Sequence, residues 1–368
     1  MKNYQNFYFV GIGGIGMSAL ARYFHAAGKN VLGYDKTETK LTTELQKEGI
    51  SITFEDVVEE KISSLKKEET LVIYTPAIKV LGILDYFNEN GFEVLKRAKV
   101  LGMITEDTNC IAVAGTHGKT TTSSLVAHLC KVANLPFSGF LGGIAENYKS
   151  NFIFNGTEMS VLEADEYDRS FLNLSPDWAI ITSIDADHLD IYGDTETIEQ
   201  GFRDFADLVP ENDQLFVRKG VNIGRPCKTY AVNEEADYYS DNLRIIDGWM
   251  MFDFHAGEQT VEFAWQIPGT HNVENATAAI AVLHNLGADF SAIQEGISSF
   301  KGIKRRYTKH IFENGKIYVD DYAHHPTELN AVIGSIRTFN PNKKLLVAFQ
   351  PHLFSRTRDF ADGFAESL

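Results

Sequence analysis

The stretch that most constrains this chain runs from Ile111 to Thr122 and reads Ile-Ala-Val-Ala-Gly-Thr-His-Gly-Lys-Thr-Thr-Thr. The apolar run Ile111 to Ala114 predicts a buried strand, Gly115 and Gly118 break it, and the periodicity of Ser123 to Val132 predicts a helix. A strand, a glycine turn and a helix N-terminus make a cradle for phosphate. Backbone N–H groups point into the turn, the helix dipole favours an anion, and Lys119 can reach the outer phosphates. Thr120 is placed to bring its hydroxyl to a Mg²⁺ ion. The common phosphate-loop pattern has a glycine where this chain has Val113, so Gly-x-x-Gly-Lys-Thr is a tighter variant. A solvated lysine beside a structural turn would explain the glycines, but not the strand and helix that frame them. We read the stretch as an ATP site.

A second glycine run lies at the start of the chain. Phe7 to Val10 predicts a strand, Gly11-Ile-Gly13-Gly14-Ile-Gly16 follows at once, and Met17 to Ala27 has helical periodicity. A further strand, Asn30 to Tyr34, ends in Asp35. This is the dinucleotide-binding fingerprint in its proper setting, so NAD is a fair reading from these residues, with a purely structural turn as the alternative. The fingerprint specifies a tight turn beside a diphosphate and an acid that can hold a hydroxyl. It leaves the rest of the ligand open.

Alternating strands and helices continue through Leu71–Tyr74 and Gly91–Leu95, and a first domain closes at about residue 107. Arg97 and Lys99 follow that last strand, where a solvated charge pair explains them as well as ligand binding does. The second region, residues 108–301, has strands at Met159–Leu162 and Trp178–Ile184. Glu163-Ala-Asp165-Glu166 follows the first, and Asp185-Ala-Asp187-His188 the second. Ligands bind at the carboxyl ends of parallel strands, so these clusters and the ATP loop can line one edge of one sheet. Mg²⁺ needs only one or two carboxylates near the phosphates. Glu163 is the first choice, ahead of Asp165 and Glu166, because it stands nearest the sheet edge. His188, among acids, suits a metal or phosphate role, with a structural histidine as the alternative.

The last region, residues 302–368, begins with a hairpin turned at Asn314-Gly315, then a helix at Thr327–Arg337 and a strand at Leu345–Phe349. At this length we expect only part of a doubly wound domain. Arg305-Arg306 and Arg356-x-Arg358 are local cations whose planar forks suit phosphate or carboxylate, although surface charge explains them equally. His324-His325 follows Asp320-Asp321 and can face ribose, substrate or nothing.

Composition narrows the partners. A net charge of −16 argues against a broad nucleic-acid surface. Three cysteines without zinc spacing, and no apolar run able to span a bilayer, point to the cytoplasm with no membrane partner.

Taken together, these motifs closely resemble the Mur ligases. The resemblance rests on Phe9-Val-Gly-Ile-Gly-Gly-Ile-Gly-Met-Ser18, Ala114-Gly-Thr-His-Gly-Lys-Thr-Thr-Thr122, Glu163-Ala-Asp-Glu, Asp185-Ala-Asp-His188 and His271-Asn272-x-x-Asn275. Arg305-Arg306, Asp320-Asp-Tyr-Ala-His-His-Pro-Thr-Glu328 and Phe349-Gln-Pro-His-x-x-Ser-Arg-Thr-Arg358 continue it in the same order to the end of the chain. It implies three α/β domains: a Rossmann-like one for a UDP-sugar, a central P-loop ATPase-like one, and a Rossmann-like one, here truncated, for the incoming amino acid. It also implies that the first fingerprint holds a UDP-sugar diphosphate rather than NAD.

The implied activity is ATP-dependent joining of L-alanine to the carboxylate of UDP-N-acetylmuramate, through an acyl phosphate, in peptidoglycan synthesis. The implied molecule is a monomer or homodimer using ATP and Mg²⁺. Carried over by residue, Gly115, Thr116, His117, Gly118, Lys119, Thr120 and Thr121 hold the phosphates. Thr120, Glu163 and His188 take metal, and Lys119, Glu163 and His188 are catalytic. Asn272, Asn275, Arg306 and Asp321 complete the nucleotide site. Gly11, Gly13, Gly14, Ser18 and Asp35 contact the UDP-sugar, and His325 and Arg356 face the muramate and amino-acid end.

Several Mur ligases carry a modified lysine after the Asp-x-x-His stretch. No lysine lies between His188 and Pro210, which fits the alanine-adding member. The alternatives are a recycling ligase that attaches a tripeptide to the same sugar nucleotide, a nicotinamide-dependent dehydrogenase that leaves Gly115 to Thr122 idle, and a non-catalytic nucleotide-binding scaffold.

Overall fold

The computed structural model describes residues 4–78, 81–185 and 194–368. Its first sheet contains β1 (Asn6–Val10), β2 (Asn30–Tyr34), β3 (Ser51–Thr53), β4 (Thr70–Tyr74) and β5 (Glu93–Lys96), all parallel, in the order β3-β2-β1-β4-β5. Helices α1 (Ile15–Ala26), α2 (Lys40–Lys47), α3 (Glu60–Ser63) and α4 (Gly82–Glu89) lie between these strands. α5 (Arg97–Glu106) leads out of the sheet. Phe7 to Val10 is buried throughout, as a strand covered on both faces must be, so its sequence is continuously apolar rather than alternating. The strand order reverses between β1 and β4, which opens a crevice at their carboxyl ends beside Gly11.

The second sheet has ten strands in the order β15-β14-β13-β12-β11-β10-β6-β9-β7-β8. Its centre is parallel and comprises β6 (Asn109–Ala114), β7 (Phe137–Ala145), β9 (Met159–Glu163), β10 (Trp178–Ile181), β11 (Leu215–Arg218) and β12 (Lys228–Val232). β8 (Ser150–Phe154) pairs antiparallel with β7 at one edge. β13 (Tyr238–Ile246), β14 (Trp249–Ala256) and β15 (Gln259–Trp265) form the other, with the expected turn at Asp247-Gly248. α6 (Lys119–Val132), α8 (Thr270–Asn285) and α9 (Phe290–Ser299) share an apolar cluster on one face. α7 (Thr195–Ala206) packs on the other face, in a cluster that runs unbroken into the first sheet through Phe9, Phe24, Phe140, Phe152 and Ala112.

The third region holds the hairpin β16 (Thr308–Ile311) and β17 (Ile317–Asp320), then α10 (Pro326–Phe339), α11 (Phe354–Asp359) and α12 (Ala361–Ser367). Leu345–Phe349 is not a strand. An apolar run becomes a strand only where another strand satisfies its backbone groups. Among the described residues none pairs with this one. The architecture is a three-part α/β one in which the parallel strands of two sheets present their carboxyl ends toward a shared centre.

Candidate active site

The loop between β6 and α6 is built from the residues that break the strand. Gly118 is the N-cap of α6 in a left-handed conformation (φ 84°), and a Cβ there would lie 2.7 Å from Asn275 Oδ1. A side chain would therefore be strained at this position and would also meet α8. Thr116 N donates to Ser183 O (2.9 Å) and His117 N to Ser183 Oγ (2.9 Å), which pins the loop to the segment after β10. The first-turn N–H groups of α6 have no acceptor within the helix and belong to residues lining a cavity of about 260 Å³.

Lys119 Nζ enters this cavity already engaged. It donates to Gly115 O (2.6 Å) and sits 2.7 Å from Glu166 Oε2 and 2.9 Å from Oε1. Burial disfavours the ammonium, but Glu166 and Glu163 outweigh it and hold the Lys119 pKa above its ordinary value. Thr120 Oγ1 donates to Glu163, 3.0 Å from Oε2 and 3.2 Å from Oε1. Burial raises the Glu163 carboxyl, with Lys119 acting against it. Gly142 on β7 makes room for this carboxylate, since a Cβ there would stand 1.8 Å from Oε2. The three strand ends after β6, β9 and β10 thus converge as their sequence positions predict. Glu166, the weaker candidate in the sequence, is the residue that holds Lys119.

His117 joins the loop to the third region. Its Nε2 lies 3.1 Å from Asp185 Oδ2, off the line of a hydrogen bond, and its Nδ1 lies 3.5 Å from Glu328 Oε1. Burial opposes the imidazolium, yet these two carboxylates overcome it and raise the His117 pKa to about 9. Glu328 also takes Arg306 Nη1 (3.5 Å) and the His324 N–H (2.9 Å). Burial alone would raise the Glu328 carboxyl, but these cationic neighbours carry it well below the usual range. Sequence reasoning passed over Glu328. Its signal was an acid three residues past the α10 N-cap, where a carboxylate typically reaches back to a backbone N–H.

A second cavity of about 250 Å³ lies on the other side of His117 and Glu328, lined in part by Asn272, Asn275, Arg306 and Asp321. Asn272 Nδ2 donates to Pro268 O (2.6 Å), while Asn275 abuts Gly118. The Asp321 carboxylate accepts from Tyr307 N and Ala323 N, both at 2.7 Å. Arg356 lines the phosphate-side cavity together with Thr121. His325 caps α10, its Nδ1 accepting from Thr327 N (3.3 Å), with its ring between those of His117 and Phe360. His188, expected as a metal ligand, lies outside the described residues.

The crevice beside the first sheet is the largest of these spaces, about 570 Å³, and is lined by Gly11, Gly14, Asp35, Arg97, Glu163 and Asp165 among others. Gly13 N donates to Asp35 Oδ2 (2.7 Å), tying the acid to the glycine turn. Ser18 does not face this crevice. One turn into α1 it points to the central sheet, donating to Ile15 O (2.9 Å) and accepting from Asn151 Nδ2 (2.9 Å). Arg97, ambiguous in the sequence, stands over the α1 N-terminus, where a Cβ on Gly16 would lie 3.0 Å from its Nη1.

Comparison with known proteins decides the family. Residues 6–108 match the Mur ligase family catalytic domain, residues 113–283 the Mur ligase middle domain and residues 305–368 the Mur ligase glutamate ligase domain. The chain is 49% identical, over all of its length and 82% of the relative's, to the UDP-N-acetylmuramate–L-alanine ligase of Flavobacterium psychrophilum. It is 50% identical, at the same coverage, to the enzyme of that name from Flavobacterium johnsoniae. The chain belongs to the Mur ligase family. Among solved structures, this Mur ligase superposes on the UDP-N-acetylmuramate-alanine ligase of Thermotoga maritima with a TM-score of 0.84 at 28% identity, covering 99% of this chain and 83% of that one. The fold alone is shared with a murein peptide ligase of Psychrobacter arcticus, with a TM-score of 0.75 at 22% identity, covering 99% of this chain and 82% of that one. Its three-domain architecture is that of the family, and the first fingerprint therefore sits in a ligase rather than a dehydrogenase.

Proposed function

We infer that this Mur ligase uses ATP to join the carboxylate of UDP-N-acetylmuramate to the amino group of L-alanine in peptidoglycan synthesis. The observation that carries this reading is the position of Glu163. It lines both the first-sheet crevice and the phosphate-loop cavity, so a carboxylate delivered from one space meets a phosphate held in the other. The two Flavobacterium relatives bear the name of this reaction.

The sugar diphosphate belongs at the α1 N-terminus beside Gly11, Gly13 and Gly14, with Arg97 as a nearby cation. ATP lies with its base toward Asn272 and Asn275 and its phosphates over Gly115 to Thr121, Arg306 and Asp321 flanking it from the third domain. A substrate carboxylate oxygen attacks the terminal phosphorus as the bond to ADP breaks, giving an acyl phosphate. The amine then attacks the acyl carbon, loses a proton, and phosphate leaves with the acyl C–O bond electrons. Lys119 holds the transferring phosphate and must exchange its contact with Glu166 for it. Arg356 and His325 lie toward the amine's side.

The paired oxygens of Thr120 and Glu163 fit Mg²⁺, which takes hard oxygen ligands and keeps water and phosphate for the rest. The ion supplies charge neutralisation at the transferring phosphate. We place the domain limits near residues 107 and 301 and the site of action in the cytoplasm. An amide-forming assay offering L-alanine and L-alanyl-γ-D-glutamyl-meso-diaminopimelate in turn tests the substrate assignment. Preference for L-alanine is expected, and preference for the tripeptide would refute it.

A further inference from the structure

Two domains must be held at a fixed separation if a carboxylate on one is to meet a phosphate on the other. One buried side chain touches both. Asn151, fully buried on β8, donates through Nδ2 to Ile15 O (2.6 Å) and Ser18 Oγ (2.9 Å), and its Oδ1 accepts from Arg22 Nη1. Residues 15, 18 and 22 are spaced at three and four, so a single carboxamide reads one face of α1 over two turns. Arg22 is itself anchored, Nη2 and Nε reaching the Glu48 carboxylate at 2.7 and 2.8 Å. The chain Glu48–Arg22–Asn151–Ser18 contains a buried guanidinium (6% exposed) whose second branch is satisfied only across the domain boundary.

Both ends of this contact lead to the reaction centre. The first turn of α1 lines the crevice where the diphosphate belongs. β8 pairs with β7, and β7 carries Gly142, which touches the Glu163 carboxylate that also bonds Thr120. Tyr23 of α1 closes the same boundary against Phe140 and Phe152, ring centroids 5.3 and 6.3 Å away. Apolar rings resist separation but tolerate sliding, whereas three directional hydrogen bonds fix register.

We propose that Asn151 is a positioning residue that locks the diphosphate-facing helix α1 onto the β7–β8 hairpin and so sets the distance from the sugar-nucleotide carboxylate to the transferring phosphate. This rests on the ligase reading above. Nothing else in the fold joins α1 to the hairpin by side-chain hydrogen bonds among the described contacts.

The test combines kinetics with a distance that does not depend on activity. In Asn151→Ala, kcat for UDP-N-acetylmuramate-dependent phosphate release should fall about 10–100-fold, the scale of an ångström-sized misplacement. The Kd values for UDP-N-acetylmuramate and a non-hydrolysable ATP analogue, measured separately, should each stay within about threefold, because uniform binding is untouched. Spin labels at Lys61→Cys and Glu235→Cys, both exposed positions, in a Cys227→Ser background should give a narrow distance distribution that broadens with the Asn151 change. If Asn151→Ala does not fold, Asn151→Asp replaces it: this keeps the acceptor for Arg22, removes both donated bonds and should give the same kinetic loss. An unchanged kcat in the folded variant, or an unchanged distance distribution, would overturn the proposal. Absence of sugar-nucleotide-dependent phosphate release from the unsubstituted chain would instead overturn the ligase reading, leaving the label distances to judge the clamp.

Discussion

Under the proposed function, Lys119 serves both folding and chemistry. Its ammonium neutralises Glu166, whose side chain is 4% exposed, and in the proposed reaction the same ammonium holds the transferring phosphate. Lys119→Ala should lower kcat by about 10²–10³-fold, the usual loss when a single charge-stabilising donor is removed. Steady-state phosphate release would report this, and binding of UDP-N-acetylmuramate by calorimetry should be unaltered. The variant also strands a buried carboxylate, and an uncompensated buried charge costs about 3–5 kcal/mol. Its melting temperature should therefore drop, and Glu166→Gln in the same chain should recover most of the drop while leaving activity low. The motif made Lys119 plain in the sequence. The role of Glu166 was not, because three acids within four positions look alike until β9 ends and directs Glu163 to Thr120 and Glu166 to Lys119.

At the scale of elements, the seam between the phosphate loop and α10 depends on charge. His117 sits between Asp185 and Glu328, and its pKa rises from 6.5 to about 9. A group protonated more strongly in the folded chain contributes fully below its unfolded pKa and loses that contribution as pH rises through its folded one. The seam is thus worth about 2–3 kcal/mol near neutrality and should weaken between pH 6.5 and 9. Thermal unfolding should fall across that interval, and fall less in His117→Gln. Equal slopes in the two chains would mean that the imidazolium does not hold the seam. The phosphate-loop strand, its helix and the glycine fingerprint were legible because each follows from a local period and a breaker. Leu345–Phe349 had the same local look and failed, since a strand needs a neighbour and sequence periodicity does not supply one. Ser18 was misplaced for a related reason: its motif gave its position in α1, but the face it presents is fixed by Asn151, 133 residues away.

For the whole molecule, the first and central domains share one continuous apolar cluster and the Asn151 contact. The third domain meets the phosphate loop through Glu328, 3.5 Å from the His117 ring, and through the neighbouring His325 ring, a polar seam. Ile303 and Phe339 of the third region also pack on the central apolar cluster, so that boundary combines an apolar contact with the polar seam. Domain order could be read from motif order along the chain, whereas the glycine fingerprint by itself pointed to NAD and only the family resemblance turned it toward a UDP-sugar. The separation of the two reaction partners could not be read there, because it depends on contacts between residues far apart in sequence. In the proposed reaction that separation brings a carboxylate against a phosphate, and the most direct measurement follows the carboxylate oxygens. With ¹⁸O in the carboxylate of UDP-N-acetylmuramate, turnover with ATP and L-alanine should deliver one ¹⁸O atom into each inorganic phosphate released. Phosphate free of the label would show that water or another group, and not the carboxylate, attacks ATP, and would contradict the account.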